Sequence, residues 1–488
     1  MILTMMKLAL IQKITILSVL ILPMLLIGAN NSIQANESIP KQDKDNEVSG
    51  KVFVQLFEWS WPDIAKECED FLGPKGYAAV QISPPQEHIT GPQWWTRYQP
   101  VSYKIESRGG NRAEFSDMVQ RCKTAGVDIY ADTIANHMAG IFTGKGVAGS
   151  DYTQYQYPVP YSYDDFHHCG RNGDGRIANY QDLWEVQNCS LGSLVDLDTA
   201  NPAVQKKIAA YIKDLLSLGV SGLRLDAVKH VDHNNVRDIL ALVDSNPFIF
   251  QEVIDRGGEP INAMDYAANG HVTEFKYPGA ILRAFKEGNL TNLATLGSER
   301  GYLPTHKAIV FIDNHDIQRG HATGDEILNY KNGALYDLAN VFMLGWPYGY
   351  PLVMSSYHFD NSDQGPPMTR PVEQGKCTSK WVCEHRRPIR SAMVQFRKAT
   401  SGLPVSNWQS LSNQLISFGR GDKGHLLINI GSNAMNAKFV TSMKPGEYCN
   451  IVSEQATVKG CNGKLIQVDK DGIMETSVAP MSAVVILN

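Results

Sequence analysis

Residues 222–230 read GLRLDAVKH. Arg224 and Asp226 stand two apart, so on an extended strand both side chains project to the same side. The segment before it, NPAVQKKIAAYIKDLLSLG at 201–219, has apolar residues every three or four positions and predicts a helix. A helix feeding a buried strand is the unit of a parallel sheet. Seven further runs of the same kind flank this one: KVFVQLFEW (51–59), GYAAVQISP (76–84), GVDIYADTIANH (126–137), FIFQEVI (248–254), HVTEF (271–275), AIVFIDNHD (308–316) and YPLVMSSY (350–357). Continuous apolar runs suit strands covered on both faces. Helical patterns recur between several of them, as in PDIAKECEDFL and AEFSDMVQRCKTAG.

Eight such strands predict a closed (β/α)8 TIM barrel, although an open doubly wound sheet shares the pattern. Polar residues decide for the barrel, because they gather at the C-terminal ends of strands 3, 4, 5 and 7, the rim where barrels keep their active sites. The stretch after strand 3 is too long for a simple loop and carries its own Cys169 and Cys189, so it predicts a small inserted domain. Beyond residue 402 the runs become short and alternating, with Gly and Asn turns, which predicts a C-terminal antiparallel β-sandwich domain. The expected division is 1–35 signal peptide, 36–50 linker, 51–137 first part of the barrel, 138–196 inserted domain, 197–402 second part of the barrel and 403–488 β domain.

Composition agrees with a folded, exported protein. At 488 residues, 43% hydrophobic and 19% charged, the chain is neither disordered nor a coiled coil. A net charge of −5 offers no basic surface, so nucleic acid is not an expected partner. The N-terminus has Lys7 and Lys13, no acid, and an apolar run over 14–29, the pattern of a secretory leader. No membrane contact is expected once it is cleaved. In an oxidising compartment the 8 cysteines, none in a CxxC pair, predict four disulfides rather than zinc sites.

Three carboxylates carry the expected chemistry. Asp226 lies on strand 4, Glu252 ends strand 5, and Asn314 and Asp316 share a side of strand 7. A retaining glycosidase needs one carboxylate to attack the anomeric carbon and another to protonate the leaving oxygen. An acid beside a cation stays ionised, whereas one without that partner has its pKa raised. Asp226 beside Arg224 suits the first role, and Glu252, expected to lack the cation, suits the second.

The segments DTIANH (132–137), GLRLDAVKH (222–230), EVID (252–255) and FIDNHD (311–316) resemble, in order and spacing, the four sequence regions of the α-amylase family, glycoside hydrolase family thirteen, and in particular its animal-type members. The resemblance runs from about residue 51 to the C-terminus. It implies a secreted, monomeric enzyme that cuts α-1,4 bonds inside starch, glycogen and maltooligosaccharides with retention. Asp226 becomes the nucleophile, Glu252 the acid/base and Asp316 the third acid. Trp94, Trp95, Tyr98, Gln99, His137, Tyr180, Arg224, Lys229, His230, His315 and His321 match substrate contacts. No organic cofactor is implied, but calcium is: Asn136 and Asp196 match its side-chain ligands, Gln187 and His230 its carbonyl ligands. The implied disulfides pair Cys68 with Cys122, Cys169 with Cys189, Cys377 with Cys383 and Cys449 with Cys461.

Departures from the family pattern matter as well. Arg224 and Asn314 match two ligands of the animal chloride site, but Leu352 stands where the third, basic ligand belongs, so chloride is doubtful. Glu106 replaces a cysteine of a further bridge, and the loop GHATGDE (320–326) is less glycine-rich than its animal counterpart. Transglycosylases share the four regions. A catalytically silent carbohydrate-binding protein on the same fold is the reading from another class, and the presence of all three acids argues against it.

Overall fold

The computed structural model describes residues 48–159, 161–321, 327–453, 456–457, 460–461 and 465–488. The expected leader, most of the expected linker and the loop residues 322–326 lie outside the described residues. Eight strands close a parallel barrel: β1 Phe53–Leu56, β2 Ala79–Ile82, β3 Asp128–Ile134, β4 Gly222–Asp226, β5 Phe248–Gln251, β6 His271–Thr273, β7 Ala308–Phe311 and β8 Tyr350–Ser355. Each pairs with the next in chain order, and β8 returns to β1 with Leu352 opposite Phe53.

The period of two along each strand explains why these runs are mostly apolar. Phe53, Phe250, Ile309, Phe311, Tyr350 and Leu352 point inward and pack as one cluster. Val54, Leu56 and Val310 point outward, into the larger core between barrel and helices. Both faces are buried, so both positions of the repeat are mostly apolar, and polar exceptions such as Gln55, Asp132 and Arg224 are themselves buried.

The helices longer than six residues are α1 Trp61–Glu67, α2 Arg112–Thr124, α3 Pro202–Ser217, α4 His233–Ala241, α5 Lys276–Lys286, α6 Ala334–Gly345 and α7 Pro388–Ala399. Their starts are written in the sequence. Asn111 and Glu114 form a capping box on α2, Asn201 caps α3 ahead of Pro202, and Asp232 caps α4. The crossover from β5 to β6 contains only the 3₁₀ turn Ala263–Tyr266.

After β3 the chain leaves the barrel and returns before α3. The two arms are joined by an antiparallel pair, His137–Met138 with Val195–Asp196, in which His137 faces Asp196. After α7, besides the short hairpin Ala456–Thr457 with Gly460–Cys461, come eight strands: β9 Val405–Ser412, β10 Leu415–Arg420, β11 Gly424–Asn429, β12 Met435–Val440, β13 Gly446–Tyr448, β14 Ile466–Val468, β15 Ile473–Val478 and β16 Ser482–Leu487. They form two antiparallel sheets, β9-β10-β11-β16 and β12-β15-β14-β13. Leu415, Leu427 and Ile486 of the first pack on Phe439, Ile466 and Met474 of the second, which makes the sandwich. All four expected disulfides are formed, and no described cysteine is free. No described helix is long and apolar enough to cross a membrane.

Candidate active site

Arg224 of β4 is the centre around which the acids are arranged. It lies opposite Asp132 of β3 and Phe250 of β5. One of its terminal nitrogens, Nη1, donates to Asp132 Oδ1 at 2.6 Å and to Asp226 Oδ1 at 2.7 Å. The other, Nη2, lies 2.6 Å from Glu252 Oε1. Ala227, directly after Asp226, takes a left-handed φ of 51°. That turn aims its N–H at Glu252 Oε2, 3.1 Å away.

This geometry corrects one expectation. Glu252 does not lack the cation; it shares the guanidinium with Asp226 and Asp132. Its carboxyl is nevertheless raised above the ordinary value, first because burial disfavours its charge, with Arg224 opposing and Asp226 adding to the rise. Asp132 is pushed up to about 7, again mainly by burial. Asp316 is raised well above the carboxylate range by burial and by the charge on Glu252. Three acids around one arginine in a buried site cannot all be ionised cheaply, which is why burial and mutual repulsion raise Asp132 and Glu252 despite the guanidinium.

A second correction concerns Asn314 and Asp316. They do not lie on a strand, because β7 ends at Phe311. Asn314 Oδ1 instead accepts from the backbone N–H of Asp316 at 3.1 Å and of Ile317 at 2.9 Å. This caps the turn Ile317–Arg319 and fixes Asp316 at the rim. His315 stacks on Tyr98 at 4.9 Å, and Gln55 Nε2 donates to its Nδ1 at 3.0 Å. Its Nε2 lies 3.4 Å from Asp316 Oδ2. Burial and nearby arginines hold His315 well below the usual histidine range, so the ring is neutral.

Asp226, Glu252 and Asp316 meet at a cavity of about 570 Å³, walled by Trp94, Trp95, Tyr98, His137, Tyr180, Lys229, His230 and His321. That volume suits a small-molecule or oligomer site. Tyr98 O–H donates to Asp132 at 2.9 Å, which joins the aromatic wall to the charged cluster. Trp94 Nε1 is anchored on the carbonyl of Ser362 at 2.7 Å. Lys229 binds the Glu259 carboxylate and the carbonyl of Ile254. Burial lowers His137 and His230 to about 4, so both present neutral rings. Arg224 and His315 stand behind the wall rather than in it. Gln99 does not line the cavity either: its Oε1 accepts from Gly140 N at 3.0 Å. Sequence reasoning gave no role to Asp132, Arg256 or Glu259. Asp132 could have been found, since it lies in the quoted DTIANH and pairs in register with Arg224; Arg256 and Glu259 have no motif.

The four expected calcium residues converge. The ladder that faces His137 with Asp196 puts Asn136 beside the same carboxylate, and Leu197 N donates to Asn136 O at 2.9 Å. His230 Nδ1 lies 3.0 Å from the carbonyl of Val186, which brings residue 230 to the neighbour of Gln187. Asp196 is 2% exposed. Its Oδ2 pairs with His167 Nδ1 at 2.7 Å, whereas its Oδ1 is buried without a hydrogen-bond partner. A buried carboxylate oxygen needs a partner, and an oxygen-rich set of one carboxylate, one amide and two carbonyls is what a hard cation takes. The residues therefore fit calcium. No cluster of three or more His, Cys, Asp or Glu among the described residues is placed to hold a metal, so carbonyl and amide oxygens are needed here.

The chloride position is different. Leu352 is 4% exposed and sits in the apolar barrel interior. Arg224 is taken up by three carboxylates, and Asn314 by its turn.

Comparison with known proteins gives a consistent result. The model of the alpha amylase catalytic domain matches residues 82–252, and that of the alpha amylase C-terminal all-beta domain matches 406–488. The chain is 44% identical over 452 residues to an alpha-amylase of Tribolium castaneum, covering 87% of this chain and 91% of that protein. It is 40% identical over 467 residues to a pancreatic alpha-amylase of Mus musculus, with the same two coverages of 87% and 91%. Alpha-amylase I of Eisenia fetida superimposes with a TM-score of 0.86 at 36% identity, over 90% of this chain and 98% of that one. A glutamate-to-glutamine variant of the Eisenia fetida enzyme, solved with maltohexaose, matches equally well.

Proposed function

The chain belongs to the α-amylase family of glycoside hydrolases, and from that premise we propose that it is a secreted, calcium-binding endo-hydrolase of α-1,4 bonds in starch, glycogen and maltooligosaccharides, acting with retention of configuration. The observation that carries this reading is the single guanidinium of Arg224 gripping Asp226 with one nitrogen and Glu252 with the other. Two carboxylates held so close favour direct attack over activation of a water between them.

In the proposed sequence Asp226 attacks the anomeric carbon while Glu252 gives its proton to the leaving oxygen. The glycosidic bond breaks and a glycosyl ester forms on Asp226. Glu252, now ionised, takes a proton from water, which displaces Asp226 and regenerates both groups. The burial that raises Glu252 favours its protonated form at the start, and Arg224, which also holds Asp132 and Asp226, offsets the charge that appears on Glu252 as that proton leaves and returns. Asp316 sits where it can accept hydrogen bonds from sugar hydroxyls, and Trp94, Trp95 and Tyr98 offer ring faces to the apolar faces of glucose.

Proton NMR of a maltooligosaccharide digest tests the reading. The α-anomer is expected first. Early β-anomer overturns retention, and no new reducing ends overturn hydrolysis itself. Because the chloride position is apolar and Arg224 is already engaged, activity in dialysed, chloride-free calcium buffer is expected to stay unchanged when chloride is added. A sample silent until chloride returns would refute this.

The direction of the Glu252 shift also sets the alkaline limb. As pH rises past its raised pKa the proton donor is lost, so kcat falls on the basic side.

A further inference from the structure

At the opposite end of the barrel two buried arginines face a cavity without an acid. Arg397 of α7 and Arg420 of β10 are 3% and 2% exposed. Both line a cavity of about 360 Å³ bounded by Ser49, Thr305, Pro347 and Gly402, residues that precede β1, β7, β8 and β9. It therefore lies at the N-terminal rim, where the first sheet of the sandwich meets the barrel, and takes no part in the reaction proposed above.

Every bond these arginines make is to a carbonyl. Arg397 donates to Met343, Trp346 and Gly349, and Arg420 to Leu403, Gly345 and Thr400. Three bonds each use six of the ten N–H donors that two guanidiniums carry. Neither forms an ion pair with any described residue; of the other buried arginines, Arg97, Arg224 and Arg390 each have a carboxylate, and Arg319 bonds to His315 O and Gln318 Oε1 and packs on aromatic rings.

Capping of α6 accounts for part of the arrangement, because Met343, Gly345 and Trp346 stand at its C-terminal end. A helix C-terminus offers only about half a negative charge, against two full positive ones. Buried cations without a counter-ion are costly. The cost is visible in the groups themselves: burial depresses Arg420 to about 10, and burial together with the charge of Arg420 depresses Arg397 to about 9.

We propose that the cavity bordered by Arg397 and Arg420 binds a small oxyanion of the sulfate or phosphate class, which joins the C-terminal sandwich to the floor of the barrel. Guanidinium forks match pairs of oxygens rather than a spherical halide, and the hydroxyl-bearing Ser49 and Thr305 complete a polar lining.

Sulfate is the probe, because phosphate precipitates calcium. Thermal unfolding of the intact protein is followed against sodium sulfate, with sodium chloride at matched ionic strength as the reference. Sulfate raises Tm of most proteins gradually and without saturation. A bound ion adds a saturable rise at low concentration, and that added rise is expected in the unaltered protein and absent from Arg420→Gln. Should Arg420→Gln not fold, Ser49→Asp supplies a fixed carboxylate at the cavity; it is expected to raise Tm in sulfate-free buffer and to abolish the saturable part. Selenate soaked into crystals of the unaltered protein is expected to give an anomalous peak between the two guanidiniums. A purely gradual sulfate response, a saturable response that survives in either variant, or no selenate peak overturns the site.

Discussion

Glu252→Gln is expected to lower kcat on maltooligosaccharides by roughly two to four orders of magnitude, the usual contribution of a positioned general acid and base, while leaving the protein as stable as before or more so. The two halves come from the same geometry. Glutamine keeps the size of the side chain and can still accept from the N–H of Ala227, 3.1 Å from Glu252 Oε2 in the native site. It cannot donate the proton that the leaving oxygen needs. Arg224 is not orphaned, since Asp132 and Asp226 remain within 2.7 Å. The sign of the stability change follows from Glu252 having its pKa raised above 4.5 in the folded state. An acid with a raised folded pKa stabilises the fold below its unfolded pKa, and that contribution is lost as pH rises through the folded value. Holding the Glu252 proton more tightly than the unfolded chain does is thus a cost that the active site carries above the ordinary carboxylate range, and the neutral variant is spared it. Steady-state kinetics and calorimetry across that pH range check both halves. Activity within about tenfold of native removes Glu252 from the acid/base role, and a marked fall in Tm shows that its pairing with Arg224 outweighs burial.

The parts of this fold legible in the sequence are those where one physical demand acts alone. Strands covered on both faces are apolar at most positions, so all eight barrel strands announced themselves. Most of the sandwich strands did too, but β9 and β15 did not. β9 reads VSNWQSLS and is partly exposed along its whole length, and β15 reads IMETSV, with polar residues on its outer positions. The crossover after β5 has no helix to find. In the site, the acids and their order were readable because they belong to local motifs. What spacing along one strand cannot give is the distance across to its neighbours. Arg224 was seen beside Asp226, two residues away, but its contacts with Asp132 on one side and Glu252 on the other depend on barrel register. The same limit hid the role of Asn314, which the pattern places on a strand and which instead turns the chain after it. Pairings such as Lys229 with Glu259 join segments with no periodic relation, and no sequence signal marks them.

Removing calcium is expected to have the second largest effect, on stability first and activity through it. A ligand that binds only the folded chain adds about 4 kcal/mol when its free concentration is a thousandfold above Kd, so a chelator should lower Tm steeply and excess calcium should restore it. The reason lies in Asp196. Its Oδ1 is buried with no hydrogen-bond partner, while Oδ2 is already paired with His167. An unpaired buried carboxylate oxygen is a liability unless a cation meets it. Asp196→Asn retains the shape but weakens that attraction, so its Tm is expected to start low and to respond little to chelator or to added calcium. Equal Tm values for the native protein with and without chelator, or a full calcium response in Asp196→Asn, would remove the cation from this place. Activity should follow for a reason unrelated to the chemistry at Glu252. Asp196 faces His137 across the two-stranded stem of the inserted segment, and His137 and His230 both line the active cavity. Asn136, Asp196 and the carbonyls of Gln187 and His230 would hold the cation, and holding it would fix that stem against the barrel rim. When it is lost, the wall beyond the acids loosens first, so KM should rise before kcat falls. A parallel loss of both would mean that the barrel itself had opened.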